Sequence, residues 1–149
     1  MDTPSVSHYM TAQPWTVDCK ASVREAHELM LEHGIRHLPV VDNGELVGIV
    51  SERDLHVIES LADALIAVPV ERVMHEHPFV VTSDTALDEV ALIMANGKYG
   101  SAIILGHDGI EGIFTTVDAC RALSDVLVRS AEETLGVEHY EEGSSATPG

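Results

Sequence analysis

Shifted by 64 positions, the first half of this chain falls on the second without a gap over about fifty residues. Val6 lands on Val70, Met10 on Met74, Pro14 on Pro78 and Val17 on Val81. Glu25 then lands on Glu89, Met30 on Met94, Gly48 on Gly112, Ile49 on Ile113 and Asp54 on Asp118. Positions that differ mostly stay apolar, as in Val23/Leu87, Val40/Ile104 and Val50/Phe114. Internal repetition of this kind constrains a fold more than any single motif, because one supersecondary unit must serve twice.

The unit has a readable anatomy. "PWTV" and "PFVV" read as short extended stretches after a proline. A helix follows, with Ser22 and Glu25 spaced as a capping box and Val23, Ala26 and Met30 on one apolar face, Leu29 beside them. Gly34 stands where a helix should stop. In the second copy Leu87, Val90, Ala91 and Met94 form the stripe, and Gly97 is the expected stop. Strands "HLPVV" and "SAIIL", turns "DNGE" and "GHDG", and strands "LVGIV" and "IEGIF" come next. A second helix closes each unit, predicted from about Arg53 to Ala67 and from about Val117 towards Leu135. The order is strand, helix, strand, strand, helix, twice, which is an α+β fold. One such unit is too small to cover both sheet faces alone, so two copies should pack with pseudo-twofold symmetry. The expected division is 6–69 for repeat 1, 70–135 for repeat 2, and a small polar tail at 136–149 without structure.

Composition narrows the function classes. The chain has 149 residues and a formal net charge of −17, from 8 Lys and Arg against 25 Asp and Glu. Such a balance argues against nucleic acid and against an anionic membrane surface, both of which need a basic footprint. The start shows no basic and apolar leader pattern, and no apolar run approaches membrane-spanning length. Cys19 and Cys120 are far apart with no metal-type spacing, and read as reduced thiols of a cytoplasmic protein, Cys120 as a packed small side chain. Of nine histidines only His75 and His77 cluster, and nothing completes a site around them, so no metal is expected. No nucleophile elbow, P-loop or dinucleotide fingerprint is present, so no enzyme is expected.

The most informative motif is "GIVSERD" at 48–54, matched by "GIFTTVD" at 112–118. Ser51-x-x-Asp54 and Thr115-x-x-Asp118 both suit a helix N-terminus. They also suit a phosphosugar, with the hydroxyl and the helix start meeting a phosphate and the carboxylate accepting from two ribose hydroxyls.

The ordered set Met-x-x-x-Pro, helix, "GIRHLPVV" and "GIVSERD" resembles a cystathionine-β-synthase (CBS) domain, and the second half resembles another. The resemblance covers roughly 6–128. It implies a tandem pair, or Bateman module, that binds an adenosine-containing ligand (AMP, ADP, ATP or S-adenosylmethionine) in clefts between repeats. It implies a homodimer that signals to a regulated partner protein, with no cofactor required for chemistry. By resemblance, Ser51 and Thr115 meet phosphate, and Asp54 and Asp118 meet ribose. The backbone of Thr16–Val17 and Val80–Val81 meets the adenine edge. Gly34, Ile35, Arg36, His37 and Pro39 complete the first pocket; Lys98, Tyr99, Ser101 and Ala102 complete the second, where Ile103 replaces the proline. The acid excess favours AMP, ADP or S-adenosylmethionine over free ATP. The rival expectation is a dimerising adaptor that has lost its ligand.

Overall fold

The structure is a computed structural model; it describes residues 2–145, with side chains described through Leu135. The predicted order appears twice. The first unit is β2 (Val17–Asp18), α1 (Val23–His33), β3 (His37–Asp42), β4 (Glu45–Ser51) and α2 (Glu52–Leu61). The second is β5 (Val80–Val81), α3 (Leu87–Gly97), β6 (Ser101–Gly106), β7 (Gly109–Thr115) and α4 (Thr116–Ser145). A short strand β1 (Thr11–Ala12) precedes both. In each sheet a parallel pair (β2–β3, β5–β6) is continued by an antiparallel hairpin (β3–β4, β6–β7). The internal symmetry extends to irregularities: the register shifts between Val40 and Val41 and again between Ile104 and Leu105.

Local signals act as the residue types dictate. Ser22 and Glu25 form both bonds of a capping box, and Gly34 closes α1 at φ 63. Asn43 and Gly44 both take positive φ, as a two-residue hairpin loop requires. Five expectations need correction. Gly97 is the last helical residue of α3, and Lys98 holds the left-handed position at φ 57 that Gly34 holds in the first unit. Ala91 is exposed, so the buried stripe of α3 is Leu87, Val90 and Met94. Helix α2 ends at Leu61 rather than Ala67; Ala62 is extended and a 3-10 turn spans Asp63–Ala67. A longer helix would carry Val68 away from its bond with Val23 N, 2.9 Å, and Val70 away from Ala21 O, 2.8 Å. Helix α4 runs on through residues 136–145, which the sequence places in an unstructured tail; residues 146–149 lie outside the described residues. Cys120 is exposed, not packed, while Cys19 is buried.

The leading segments change places. Val6 is fully buried, but in the second core beside Phe114, Leu87 and Val90. Val70 is fully buried in the first core with Val23, Leu38 and Val50. The bonds Val6 N to Thr85 O and Leu87 N to Pro4 O are the 64-shifted counterparts of Val70 N to Ala21 O and Val23 N to Val68 O. Strand β1 pairs with β7 at Thr11↔Ile113, and the bridge Ile49↔His75 is its counterpart. Each half is therefore completed by the segment that leads the other.

Two glycines make that exchange possible. A Cβ on Gly48 would stand 2.5 Å from Met74 Sδ and 2.7 Å from His75 O; one on Gly112 would stand 2.5 Å from Met10 Sδ. The His75 carbonyl is held by Ile49 N at 3.0 Å and has no freedom to retreat. Gly48→Ala is expected to lower stability by about 1–3 kcal/mol through overpacking. The check is a urea titration, with the midpoint falling at unchanged slope; an unmoved midpoint would contradict this packing.

Candidate functional site

The β3–β4 register lays His37 opposite Ser51, and the β6–β7 register lays Ser101 opposite Thr115. Each helix after the hairpin is tied to the loop before it: Glu52 N donates to Arg36 O at 2.8 Å, and Thr116 N to Gly100 O at 3.3 Å. A cavity of about 930 Å³ opens between these two junctions. The first half contributes Arg36, His37, Ser51 and Asp54, with Glu52, Arg53 and His56 from α2. The second half contributes Lys98, Tyr99, Gly100, Ser101 and Thr116, and the linker adds His75, His77 and Phe79. Gly100 permits the close approach, since a Cβ there would stand 2.9 Å from His37 Nε2.

Ser51 and Asp54 form a full capping box on α2. Asp54 N donates to Ser51 Oγ at 3.2 Å, and Ser51 N donates to Asp54 Oδ2 at 3.4 Å. The Ser51 hydroxyl also donates to Asp54 Oδ2 at 2.8 Å, and His75 Nε2 lies 3.2 Å from the same oxygen. These contacts of the Asp54 carboxylate all fall on Oδ2. His37 is partly buried, and burial pushes its imidazole below the usual histidine range; the Asp54 carboxylate opposes that shift and the Arg36 guanidinium adds to it. Phe79 and Tyr99 stack at 5.2 Å to form one aromatic wall.

The charge distribution is uneven. Three of the chain's 8 Lys and Arg (Arg36, Arg53, Lys98) and four of its 9 His (His37, His56, His75, His77) line this one cavity, in a protein of net charge −17. Glu52 and Asp54 are the acids among its lining. An anionic group is the partner such a concentration suits.

Sequence reasoning assigned Lys98, Tyr99 and Ser101 to a second pocket; the structure brings them to the same cavity as Ser51 and Asp54. Thr115 and Asp118 do not line it. Asp118 is only 4% exposed and accepts from Thr115 N at 2.9 Å, Thr115 Oγ1 at 3.3 Å and Arg121 Nη1 at 3.1 Å. Its carboxylate caps α4 and pairs along it. Among the adenine-edge positions, Val17 is buried against Val40, Thr16 lies outside the cavity lining, and Val81 packs on the second core. Val80 lines a separate cavity of about 710 Å³ beside the two hairpin turns. Gly34 caps α1, Ile35 packs on the first core, and Pro39 and Ala102 are buried in their strands. His75, His77 and Phe79 were missed as site residues. Their signal was present as a histidine pair just before the second extended stretch, but its use depends on how the linker crosses the molecule.

The CBS-domain family model matches residues 6–57 and 70–125. An uncharacterized 17.7 kDa protein of Acidianus ambivalens is 32% identical over 137 residues, covering 88% of this chain and 82% of that protein. An inosine-5'-monophosphate dehydrogenase of Korarchaeum cryptofilum is 36% identical over 104 residues, 69% of this chain but 21% of the enzyme. Among solved structures, a Vibrio cholerae protein described as an acetoin utilization protein, AcuB, superposes with TM-score 0.77 at 31% identity, covering 88% of this chain and 98% of that one. CBSX2 in complex with AMP superposes with TM-score 0.72 at 29% identity over 83% and 98% of the two chains. The CBS pair of MJ0100, in complex with 5'-methylthioadenosine and S-adenosylmethionine, superposes with TM-score 0.73 at 26% identity over 83% and 98%. Among the described residues no helix is long and apolar enough to cross a membrane. With two matched repeats, and structural neighbours that are themselves CBS pairs, this chain belongs to the CBS-domain family as a tandem pair.

Proposed function

We propose that the cavity between the two halves binds an adenosine-containing ligand, that the protein is a regulatory module rather than an enzyme, and that it passes the bound state to a partner protein. The observation that carries this reading is the convergence of Ser51, Asp54, Arg36, Lys98 and the Phe79–Tyr99 wall on one cavity. AMP in CBSX2, and S-adenosylmethionine with methylthioadenosine in MJ0100, support the ligand class. In this arrangement Asp54 Oδ1 accepts from the ribose. Glu52 N and Asp54 N already have acceptors, so Arg53 N is the helix-start donor for a phosphate. The aromatic pair lies along the base. The lining cations favour the phosphate-bearing members of the ligand set over S-adenosylmethionine, which departs from the preference expected from the acid excess of the whole chain. Ligand closure across the two halves then shifts the module between two arrangements. The module acts as a cytoplasmic homodimer, for which the exposed Leu92, Leu123 and Leu127 of α3 and α4 supply apolar surface.

A thermal-shift and calorimetric screen with AMP, ADP, ATP and S-adenosylmethionine tests the reading. AMP or ADP at a hundred times its dissociation constant should stabilise the fold by about 2.7 kcal/mol. A shift with S-adenosylmethionine alone would reverse the charge reasoning. No shift with any of them would leave the dimerising adaptor, which the same exposed leucines favour.

A further inference from the structure

His27 presents a buried atom that its surroundings do not satisfy. The side chain lies on α1 and is 14% exposed, and Nε2 is enclosed with no hydrogen-bond partner. A buried polar atom left in this way is costly and calls for an explanation. The other ring nitrogen, Nδ1, lies 2.6 Å from Glu59 Oε1. That carboxylate places the proton on Nδ1 and leaves the lone pair on Nε2, the form in which imidazole coordinates a metal.

Two further residues able to supply ligand atoms stand beside the His27 side chain. Glu52 and His56 are one turn apart on α2 and share a face. The His56 ring meets the His27 ring edge-on at 4.8 Å, and His56 Nε2 lies 4.0 Å from Glu52 Oε1. One ligand atom from each of His27, Glu52 and His56 can be chosen so that all lie within 4.8 Å of one another. In a tetrahedral zinc shell with bonds of about 2.0–2.2 Å, ligand atoms stand about 3.4 Å apart. The required contraction is small for side chains as exposed as His56 (59%) and Glu52 (30%).

We propose that His27, Glu52 and His56 form a binding site for a divalent transition-metal ion, with zinc the first choice and Glu59 as the residue that positions His27. Two imidazoles and one carboxylate suit zinc and its neighbours, whereas magnesium and calcium take oxygen shells. Three protein ligands leave a fourth position for water or an anionic group. Glu52 and His56 also line the cavity between the halves, so a metal here would pin α1 to α2 at the edge of that cavity. The site stands on its own geometry and does not depend on which ligand the cavity takes.

The test uses the full chain stripped with a chelator and titrated with Zn2+ by calorimetry and with Co2+ by visible absorption. The expected result is one Zn2+ per folded chain. His56→Asn, at an exposed position, and Glu52→Gln, at a half-buried one, should each weaken binding by at least about 10-fold, and Glu59→Gln by about 10–100-fold with a changed Co2+ spectrum. Circular dichroism verifies that each variant is folded. A His75→Asn/His77→Asn double variant should bind Zn2+ as the wild type does. Absence of Zn2+ binding by the wild type overturns the proposal. So does binding that survives both His56→Asn and Glu52→Gln, or binding lost only in the His75/His77 variant.

Discussion

Residues 1–69 expressed alone should show no cooperative thermal unfolding, although they contain one complete sequence repeat. The cut removes Val70, which is fully buried in the first core, and Val73 and Met74, which pack on it. It also breaks the bond from Val70 N to Ala21 O and the bridge Ile49↔His75. Each fully buried side chain of this size contributes about 1.5–3 kcal/mol. A whole domain is stable by only about 5–15 kcal/mol, and half of one by less. The same fragment carries Val6 and β1 with nothing to pack against, because their sites lie on Phe114 and β7. A fragment cut to follow the packing, 14–76, should recover part of the cooperativity despite being shorter. Calorimetry of the two fragments decides the matter. A melt of 1–69 as sharp as that of 14–76 would mean that the exchanged segments contribute little.

Asp54→Ala should weaken AMP binding by about 30–100-fold, the scale of losing charge-assisted hydrogen bonds to a ribose. Its cost in stability should be near 1 kcal/mol, because Asp54 is one half of the capping box on α2. Asp118→Ala, at the equivalent position, should behave in the opposite way. Asp118 is nearly buried, bonded to Thr115 and paired with Arg121, and it lies outside the cavity. Its loss should lower stability by more than that of Asp54 and leave AMP affinity near that of the wild type. Calorimetric titration of both variants with AMP separates the cases. Equal loss of affinity in both would mean two equivalent sites, and no loss in Asp54→Ala would remove Asp54 from the site.

The two predictions mark where the sequence could be read and where it could not. Signals carried by neighbours in the chain were legible. Ser22 with Glu25, Ser51 with Asp54, Gly34 after α1 and Asn43-Gly44 in the hairpin are all local, and all act in the structure as their residue types dictate. The end of α2 was not legible, because no residue between Leu61 and Ala67 is a strong helix breaker. That helix stops where Val68 and Val70 must meet Val23 and Ala21. The left-handed turn at Lys98 was missed for a different reason: Gly97 is the better local candidate by residue type, but the 64-residue register places Lys98, not Gly97, on Gly34.

What the sequence determined by itself was the repeat, the order of elements in each unit, and the pairing of a hydroxyl with an acid at two helix starts. These depend on spacings of a few residues and on one fixed register. Tertiary structure alone decided that Val6 and Val70 fill each other's halves, and that Lys98 and Tyr99 join Ser51 and Asp54 in a single cavity. It also decided that His27 meets Glu52 and His56 across two helices. Each of these brings together residues far apart in the chain, held by burial and by the crossing of the two leading segments. Burial is non-directional and carries no mark of its partner in the local pattern.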